Sequence, residues 1–336
     1  MSEALGTLDA PVLVLADLDG TRPTDPALEL VAAARTLTGG GGDVVALTLG
    51  PVEAEASAAL AAAGANRLLV ADLGGERAQA AAGADAVVAA VHEVAPGAVL
   101  VSSDYRGKET AGRAAVLLDS ACVSDVADLR VVDGALHADR LVLSGSWSTT
   151  MSANAHTVHP PILAVRPGSV EVPDASVDDA APLPAVALEV AVSREAAAVR
   201  LVSRESTAAA AGPDLAGART VVVGGRGVDG DFDLVRSLAE PLGAAVGATR
   251  VACDEEWIER SAQIGQTGVS IAPRLYIGLG VSGAIHHTSG IQGAGTIVAV
   301  CDDSEAPIFE MADFGVVGDV TEVVPQLVEE LAKLRG

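Results

Sequence analysis

Short runs of valine and leucine that do not alternate with polar residues recur along the first half of the chain. A strand with one solvent-facing side alternates apolar and polar residues, so a run without alternation predicts a strand buried on both faces. Segments of helical composition separate these runs, and this order is typical of an α/β fold with a mostly parallel sheet. The predicted strands are 12–16, 44–49, 68–71 and 99–102, and the predicted helices are 27–37, 54–63, 78–94 and 108–118.

The pattern changes after residue 166 and starts again near residue 220. Residues 167–184 contain four prolines and little periodicity, which predicts an exposed loop, and 208–217 is predicted to be a linker. A chain of 336 residues also exceeds what one hydrophobic core usually organises. We therefore predict two domains, 1–205 and 206–336, each a mostly parallel sheet flanked by helices. Further strands are predicted at 128–132, 140–144, 162–166, 185–193, 220–223, 275–279 and 296–300, and further helices at 231–242 and 322–333.

The formal net charge of the chain is −24, from 45 acidic and 21 basic side chains. Such a surface repels phosphate backbones and anionic lipid, so neither nucleic acid nor a membrane surface is an expected partner. Solubility explains the charge most simply, and electrostatic matching to basic partner proteins is the alternative. The three cysteines fit no disulfide or metal-binding spacing, and the N-terminus lacks the features of an export signal. We therefore expect reduced thiols, no membrane span and a cytoplasmic protein.

Two segments of the C-terminal half have the order strand, glycine cluster, helix; they are VVVGGRG at 221–227 and LYIGLGVSGA at 275–284. Glycines after a parallel strand let a ligand approach the backbone, and a following helix N-terminus favours an anion. Arg226 adds a guanidinium to the first turn. Each turn alone is more often a tight turn without a ligand, and neither matches a dinucleotide fingerprint or a phosphate-binding loop. Two such turns in one domain favour a nucleotide-type cofactor at the strand ends.

Polar residues lie between the two turns, at Thr249 and Arg250 and in QIGQTG at 263–268. Composition alone favours a solvated loop at these positions. His286 and His287 follow the second turn, but adjacent histidines on a helix point in different directions, and an isolated histidine is more often a surface residue than a catalyst. The residues assemble into no nucleophile–histidine–carboxylate order, paired carboxylates or metal-ligand set.

Six segments of the C-terminal half, taken in order, resemble the alpha subunit of electron-transfer flavoproteins. In the N-terminal half, 108–125 and 161–168 resemble the corresponding parts of that family more loosely. The order and spacing of the C-terminal segments make the resemblance specific. These segments are VVGGRG at 222–227, AVGATR at 245–250, QIGQTG at 263–268, PRLYIGLGVSGA at 273–284, EAPIFEMADFG at 305–315 and DVTEVVP at 319–325.

The resemblance implies FAD bound by a Rossmann-like C-terminal domain. Arg226 matches an arginine that contacts the cofactor, Arg250 one placed over the flavin ring, and Thr267 a threonine at the flavin N5 edge. His287 matches a histidine near the pyrimidine carbonyl, where a donor or positive charge would favour anionic flavin, and Asp319 matches a contact at the adenosine end. The full implied set, with Ser282 to Ala284 as the turn beside the pyrophosphate, is Arg226, Thr249, Arg250, Ile264, Gly265, Gln266, Thr267, Ser282, Gly283, Ala284, Ile285, His286, His287, Cys301 and Asp319.

Three positions depart from the pattern that the family usually shows. Thr249 replaces a serine and keeps the hydroxyl, His286 replaces a glutamine, and Cys301 replaces an asparagine and loses its amide. We expect FAD binding to survive these changes with an altered affinity or reduction potential.

The resemblance also implies an electron carrier rather than an enzyme with its own substrate. Its FAD would accept electrons from flavin dehydrogenases, such as the acyl-CoA dehydrogenases of fatty acid oxidation, and pass them to a quinone-linked acceptor. A beta subunit, carrying AMP, would dock against the N-terminal domain to form a heterodimer. Two alternatives are a nicotinamide-dependent oxidoreductase that uses the same turns and a nucleotide-binding subunit without redox chemistry.

Overall fold

A computed structural model describes residues 5–74, 79–142, 147–156, 158–173, 180–203, 215 and 217–335. The described residues up to 203 form one compact unit, and those from 215 onward form another. Each unit contains a mostly parallel sheet flanked by helices, which confirms the predicted fold class. The predicted domain boundary at 205 and most of the predicted linker at 208–217 lie outside the described residues, and the boundary stays a prediction.

The N-terminal unit begins with the repeated strand–helix pattern that the valine and leucine runs predict. Thr24 caps the first helix by accepting a hydrogen bond from the backbone N–H of Ala27 at 3.3 Å. The elements are β1 (Leu5–Gly6), β2 (Val12–Leu15), β3 (Leu18–Asp19), β4 (Arg22–Pro23), α1 (Asp25–Leu37), β5 (Val44–Thr48), α2 (Ala54–Ala63), β6 (Arg67–Val70), α3 (Ala80–Val94), β7 (Ala98–Ser102), α4 (Tyr105–Leu117), β8 (Cys122–Val132), β9 (Ala135–Val142), β10 (Trp147–Asn154), β11 (Ile162–Val165), β12 (Ala185–Ala187) and α5 (Arg194–Ala197).

Both faces of the N-terminal sheet are covered at β2, β5 and β7, which explains why these strands do not alternate. Val12 and Val14 of β2 pack in a cluster with residues of α1 and α2, whereas Leu13 and Leu15 pack with residues of α3 and α4. The sheet order is β10-β9-β8-β11-β7-β2-β5-β6-β12. After β2, the chain adds β5 and β6 on one side of that strand and then β7 on its other side. The carboxyl ends of β2 and β7 therefore meet at a topological switch point.

An antiparallel extension, β8–β9–β10, lies at one edge of the N-terminal sheet and was predicted only in part. The predictions at 128–132 and 140–144 are shorter than the strands β8 and β9 observed there, and residues 143 and 144 lie outside the described part. Strand β10 was not predicted, because almost all of its side chains are exposed and its sequence contains no apolar run. The described residues of 167–184 contain neither helix nor strand, as predicted.

The C-terminal unit contains five parallel strands, and two of them, β14 and β17, were not predicted. Its strand order is β14-β13-β15-β16-β17, which places the switch point between β13 and β15. The elements are β13 (Thr220–Gly224), α6 (Phe232–Leu242), β14 (Ala245–Ala248), α7 (Arg250–Asp254), β15 (Leu275–Leu279), α8 (Ile285–Thr288), β16 (Thr296–Cys301), β17 (Phe314–Val317) and α9 (Val320–Arg335).

Helix α6 shows how local signals and packing agree in this unit. Asp231 accepts a hydrogen bond from the N–H of Leu234 at 2.9 Å and begins the helix, and Gly243 ends it with φ of 60°. Its buried residues Phe232 and Val235 face the same core cluster as α9 and one face of the sheet. Among the helices of the described residues, none is long and apolar enough to cross a membrane.

Candidate functional site

A cavity of about 230 Å³ lies at the carboxyl ends of β13, β14 and β15, where the order of the C-terminal sheet reverses. Open parallel sheets bind ligands at such a switch point. The cavity gathers residues from both glycine turns and from the polar segments between them. It is lined by Arg226, Thr249, Arg250, Val251, Gln263, Ile264, Thr267, Val281, Ser282, Gly283, Ala284, His286 and His287.

The two glycine turns pack directly against each other, backbone against backbone. A Cβ on Gly227 would lie 2.8 Å from Cα of Gly280, and a Cβ on Gly280 would lie 2.5 Å from Cα of Gly227. Gly225 faces the carbonyl group of Gly280 with no space for a side chain, and its N–H donates to Leu279 at 2.9 Å. We call this contact of Gly225, Gly227 and Gly280 the glycine contact. The approach of the two chain segments therefore requires these glycines.

The helical segments that directly follow the two turns are short. Only a three-residue 3₁₀ turn, Arg226–Val228, follows β13 directly, and the four-residue α8 follows the second turn. A helix dipole of that length supplies little attraction for an anion. Attraction at this cavity therefore depends on charged side chains and on individual backbone N–H groups.

The segment 263–268, which composition alone assigned to a solvated loop, is folded tightly against α8. Gly265 has φ of 138° and no space for a Cβ beside the carbonyl of His286. The N–H of Gln266 donates to that same carbonyl at 2.7 Å, and the N–H of Ile264 donates to Ala248 at 2.9 Å. These bonds hold the segment in one conformation along the cavity.

Thr267 presents its hydroxyl from this segment. The side-chain amide of Gln263, itself buried, donates to the Thr267 hydroxyl oxygen at 2.9 Å. Because the oxygen accepts from the amide, the hydroxyl proton is left to donate outward. Gln263 was not among the predicted site residues, although it is the first residue of the motif that carried the prediction.

Two arginines give the cavity a positive lining within a strongly acidic chain. Arg226 is exposed and has no carboxylate partner among the described residues. Arg250 is 62% exposed and donates from Nε to Asp254 at 3.2 Å, and Arg260 donates to the other oxygen of Asp254 at 2.8 Å. Among the described residues that line the cavity, none is an aspartate or a glutamate. The lining thus favours an anionic ligand.

The hydroxyl of Thr249 is buried and has no hydrogen-bond partner among the described residues. A buried hydroxyl without a partner is destabilising, and most such groups in proteins are paired with protein or water. Because Thr249 lines the cavity, a ligand with a polar atom is a candidate partner for this hydroxyl.

The two adjacent histidines differ in their environment. His286 is exposed, and its Nδ1 lies 2.8 Å from Oε1 of Gln266. His287 is buried; its Nδ1 lies 3.1 Å from the carbonyl of Ile264, and its Nε2 lies 2.9 Å from the hydroxyl of Tyr276. Burial lowers the pKa of His287 to about 4, although the bond to Ile264 acts in the opposite direction.

These bonds bear on the donor role that the resemblance implied for His287. Both of its ring nitrogens are engaged within the protein, so neither is free to donate to a cofactor carbonyl in this conformation. Its pKa of about 4 also makes a positive charge on this ring unfavourable at neutral pH. Tyr276 was not predicted as a site residue, since its strand resembles any buried strand and no local signal marks the contact.

Five of the predicted residues do not line the cavity. Gly265, Gln266 and Ile285 belong to the segments that support it. Cys301 is buried at the end of β16, and Asp319 accepts hydrogen bonds from the backbone N–H and hydroxyl of Thr321 at 2.8 and 2.7 Å. Their predicted contacts with a cofactor stay predictions. Among the described residues, no group of three histidine, cysteine or carboxylate side chains is placed to hold a metal ion.

Comparison with known proteins gives a consistent result for both units. The family described as electron transfer flavoprotein domain matches residues 12–193, and the family described as electron transfer flavoprotein FAD-binding domain matches residues 214–292.

Curated relatives match over nearly the whole length. The chain is 39% identical to electron transfer flavoprotein subunit alpha of Mycobacterium leprae over 313 residues, which cover 92% of this chain and 94% of that one. It is 33% identical to the subunit of the same name from Bacillus subtilis, with 96% and 98% covered. A thiamin diphosphate-dependent enzyme of known structure, from Mycobacterium smegmatis, aligns over 96% of this chain and 59% of its own at 13% identity; its TM-score of 0.22 is too low to indicate a common fold.

Proposed function

The chain belongs to the electron transfer flavoprotein family as an alpha subunit, and we propose that its C-terminal unit binds FAD at the switch-point cavity and acts as an electron carrier. The observation that carries this proposal is the lining of the cavity. Among the described residues, two arginines and no carboxylate line it, in a chain with a formal net charge of −24. FAD carries a diphosphate and, when reduced, a further negative charge on its ring, so its chemistry suits this lining.

The residues of the cavity fit two parts of such a ligand, its diphosphate and its flavin ring. Arg226 and the turn at Ser282 would hold the diphosphate by charge and by hydrogen bonds. Arg250 and the outward hydroxyl of Thr267 would face the ring and stabilise negative charge on it. The unpartnered hydroxyl of Thr249 would gain a hydrogen bond on binding.

FAD supplies the redox chemistry when bound, and the protein supplies binding, orientation and electrostatics. Arg250 and Arg226 favour the more negative oxidation state of the ligand, because each adds positive charge near it. The buried lining residues Ile264, Val281 and His287 exclude water from part of the cavity. The described cavity of about 230 Å³ is below the roughly 300–1,000 Å³ typical of ligand pockets, so part of FAD would lie outside it.

We further propose that the chain works with a beta subunit that carries AMP, as a heterodimer in the cytoplasm. Electrons would enter from flavin dehydrogenases, such as the acyl-CoA dehydrogenases of fatty acid oxidation, and leave to a quinone oxidoreductase. The names of the curated relatives, which are alpha subunits, support the beta partner. The acidic surface supports transient docking with basic patches on protein partners.

An absorption spectrum after co-expression with the beta subunit tests the proposal. We expect a yellow complex whose chromophore is released on denaturation and identified as FAD. Arg226→Ala should weaken FAD binding by roughly 10-fold or more, since a charge-assisted hydrogen bond contributes about 1.5–3 kcal/mol. Arg236→Ala is the matched control, because Arg236 is an exposed arginine of α6 that pairs with Asp233 and does not line the cavity.

Two outcomes would replace the proposal with an alternative. A colourless complex that binds NADH would indicate a nicotinamide-dependent oxidoreductase. A complex that binds an adenine nucleotide, but no flavin, would indicate a nucleotide-binding subunit without redox chemistry.

A further inference from the structure

The side chain of Tyr276 is completely buried behind the cavity, and its hydroxyl contacts the one buried histidine of the lining. The distance from the hydroxyl oxygen to Nε2 of His287 is 2.9 Å. Tyr276 itself does not line the cavity. Any effect that it has on a ligand must therefore pass through His287 or through the packing of the core.

The direction of each hydrogen bond follows from the partners. The carbonyl oxygen of Ile264 can only accept, so Nδ1 of His287, at 3.1 Å, must carry a proton. In the neutral ring Nε2 is then the unprotonated nitrogen, and it accepts from the hydroxyl of Tyr276. The two hydrogen bonds, one to each ring nitrogen, define both the orientation and the tautomer of the imidazole.

The strand leaves space for the tyrosine. A Cβ on Gly278, two residues further along β15 and on the same face, would lie 3.0 Å from the hydroxyl oxygen of Tyr276. The ring packs in the core cluster that also contains Ile264 and Ile291. The absence of a side chain at 278 is therefore part of what places the hydroxyl against His287.

The charged and titratable groups around the cavity explain why the orientation of this ring matters. Arg226, Arg250 and His286 line the cavity with His287, and none of the described lining residues is acidic. A buried positive charge on His287 beside the two exposed arginines would be unfavourable. Positive charge toward a ligand comes from the arginines, while His287 forms part of the wall.

We propose that Tyr276 is a positioning residue, whose hydroxyl holds the His287 imidazole in a single orientation and tautomer at the wall of the cavity. This inference rests on the proposed FAD site. Donors toward the cofactor are then Thr267 and Arg250, and His287 forms part of the wall.

Nitrogen-15 NMR of histidine-labelled protein, before and after FAD is added, tests the tautomer directly. We expect His287 to show a protonated Nδ1 and an unprotonated, hydrogen-bonded Nε2 at pH 7 in both states. In Tyr276→Phe the Nε2 resonance should move downfield, because it loses its donor. A proton on Nε2, or an Nε2 resonance that does not respond to Tyr276→Phe, would overturn the proposal.

A double-mutant cycle on FAD affinity separates positioning from packing. Tyr276→Phe should weaken FAD binding by about five-fold, the size of one net hydrogen bond, but by less than about two-fold in a His287→Ala background. An equal loss in both backgrounds would mean that Tyr276 acts through the core alone. If Tyr276→Phe does not fold, Gly278→Ala displaces the hydroxyl while keeping the tyrosine, and the same cycle applies. Failure of the unmodified complex to bind FAD would overturn the proposed function, whereas the NMR result decides the tautomer independently.

Discussion

The polar side chains at the switch points of the two mostly parallel sheets differ in whether they have partners within the protein. In the N-terminal unit, polar side chains after β2 and β7 pair with residues of α4 and β8. Asp17 pairs with Arg106 of α4, and Ser103 bonds Asp125 of β8 (3.2 Å), which also pairs with Lys108 of α4 (2.7 Å). In the C-terminal unit, the corresponding edge has an arginine without a carboxylate partner among the described residues, a buried hydroxyl without a hydrogen bond to them, and a cavity.

Topology alone therefore does not identify a binding site. Both units have a switch point, where open sheets commonly bind ligands. In the N-terminal unit most of the polar groups there are satisfied by the protein itself, which leaves little for a ligand to add. The exception is the Ser102 hydroxyl, which is buried without a partner among the described residues. In the C-terminal unit a ligand can supply partners that the protein lacks, and this is the physical reason to place FAD there.

The largest expected effect concerns the glycine contact of the C-terminal unit. Gly280→Ala should destabilise that unit by roughly 2–5 kcal/mol, because a side chain at φ of 62° costs about 1–2 kcal/mol and the clash with Gly227 costs about 1–3 kcal/mol more. Hydrogen exchange of the β13 and β15 amides measures the loss, and the amides of the N-terminal unit should not change.

Gly243 is the matched control for this substitution. It has φ of 60°, and a Cβ at this position would meet no heavy atom within 4 Å, so Gly243→Ala carries the backbone strain without the clash. If the two variants lose equal stability, close approach of the turns does not explain the glycines.

Acidification should affect the two units in opposite directions. His287 has a pKa lowered to about 4 by burial, so the stability that it contributes is present above its ordinary value of 6.5 and is lost as pH falls. Burial raises the pKa of Asp17 to about 6, partly opposed by Arg106, so its contribution is present below 3.8 and is lost as pH rises. From pH 7 to pH 5 the C-terminal unit should lose about 2 kcal/mol, and the N-terminal unit should gain about 1 kcal/mol.

Amide exchange in β15 and β2, followed in the same sample at both pH values, measures the two responses. His287→Gln should remove the response of the C-terminal unit, and Asp17→Asn should remove that of the N-terminal unit. A response of the same sign in both units would contradict the assignment of these groups.

The unpartnered hydroxyls provide a smaller and more specific test. Thr249→Val keeps the shape of the side chain and removes a buried hydroxyl that has no partner among the described residues, so it should stabilise the ligand-free protein by about 1 kcal/mol and weaken FAD binding several-fold. Ser102→Ala removes the equivalent hydroxyl of the N-terminal unit and should stabilise without any effect on FAD affinity. Thermal unfolding and FAD titration of both variants distinguish a ligand contact from a packing defect.

The smallest effect is expected at Asp254, which shares its carboxylate between Arg250 and Arg260. Asp254→Asn should release positive charge toward the cavity and raise the flavin reduction potential, with a gain in affinity for the reduced form of about 0.5 kcal/mol, as for other exposed pairs. An anaerobic redox titration measures the shift, and a lower potential would contradict the role of Arg250.

Much of the fold could be predicted because its signals are local. The bounds of α2 and β15 agree with the prediction, since alanine-rich composition marks the one and an apolar run after Arg274 marks the other. Strand β10 was missed because its side chains are largely exposed and its sequence has no apolar pattern. Strand β17 was missed because its short apolar run, FGVV, contains a glycine and belongs to a segment that was used only as a family motif. Strand β14 is four residues long and contains a glycine, so its sequence, AVGA, lacks the continuous valine and leucine run that predicts a buried strand.

Ten of the predicted site residues line one cavity, among them Arg226, Arg250 and Thr267, and their contacts with FAD stay predictions. What each group touches depends on segments far apart in sequence, such as the contact of Gly227 with Gly280 and the bond of Tyr276 to His287. Periodicity and composition carry no information about such pairings, so the packing of the glycines against each other and the contact of the tyrosine were not predicted.

The glycine contact has a consequence for the speed of electron transfer. An electron moves more slowly when its surroundings must rearrange to accommodate the new charge, and flexible side chains are a major source of such rearrangement. Where the turns before Arg226 and Val281 meet, backbone lies against backbone, and no rotamer is available to change there. The glycine contact adjoins the lining residues Arg226 and Val281 along the chain, and this rigid support would limit the backbone part of the reorganisation energy of a bound redox cofactor.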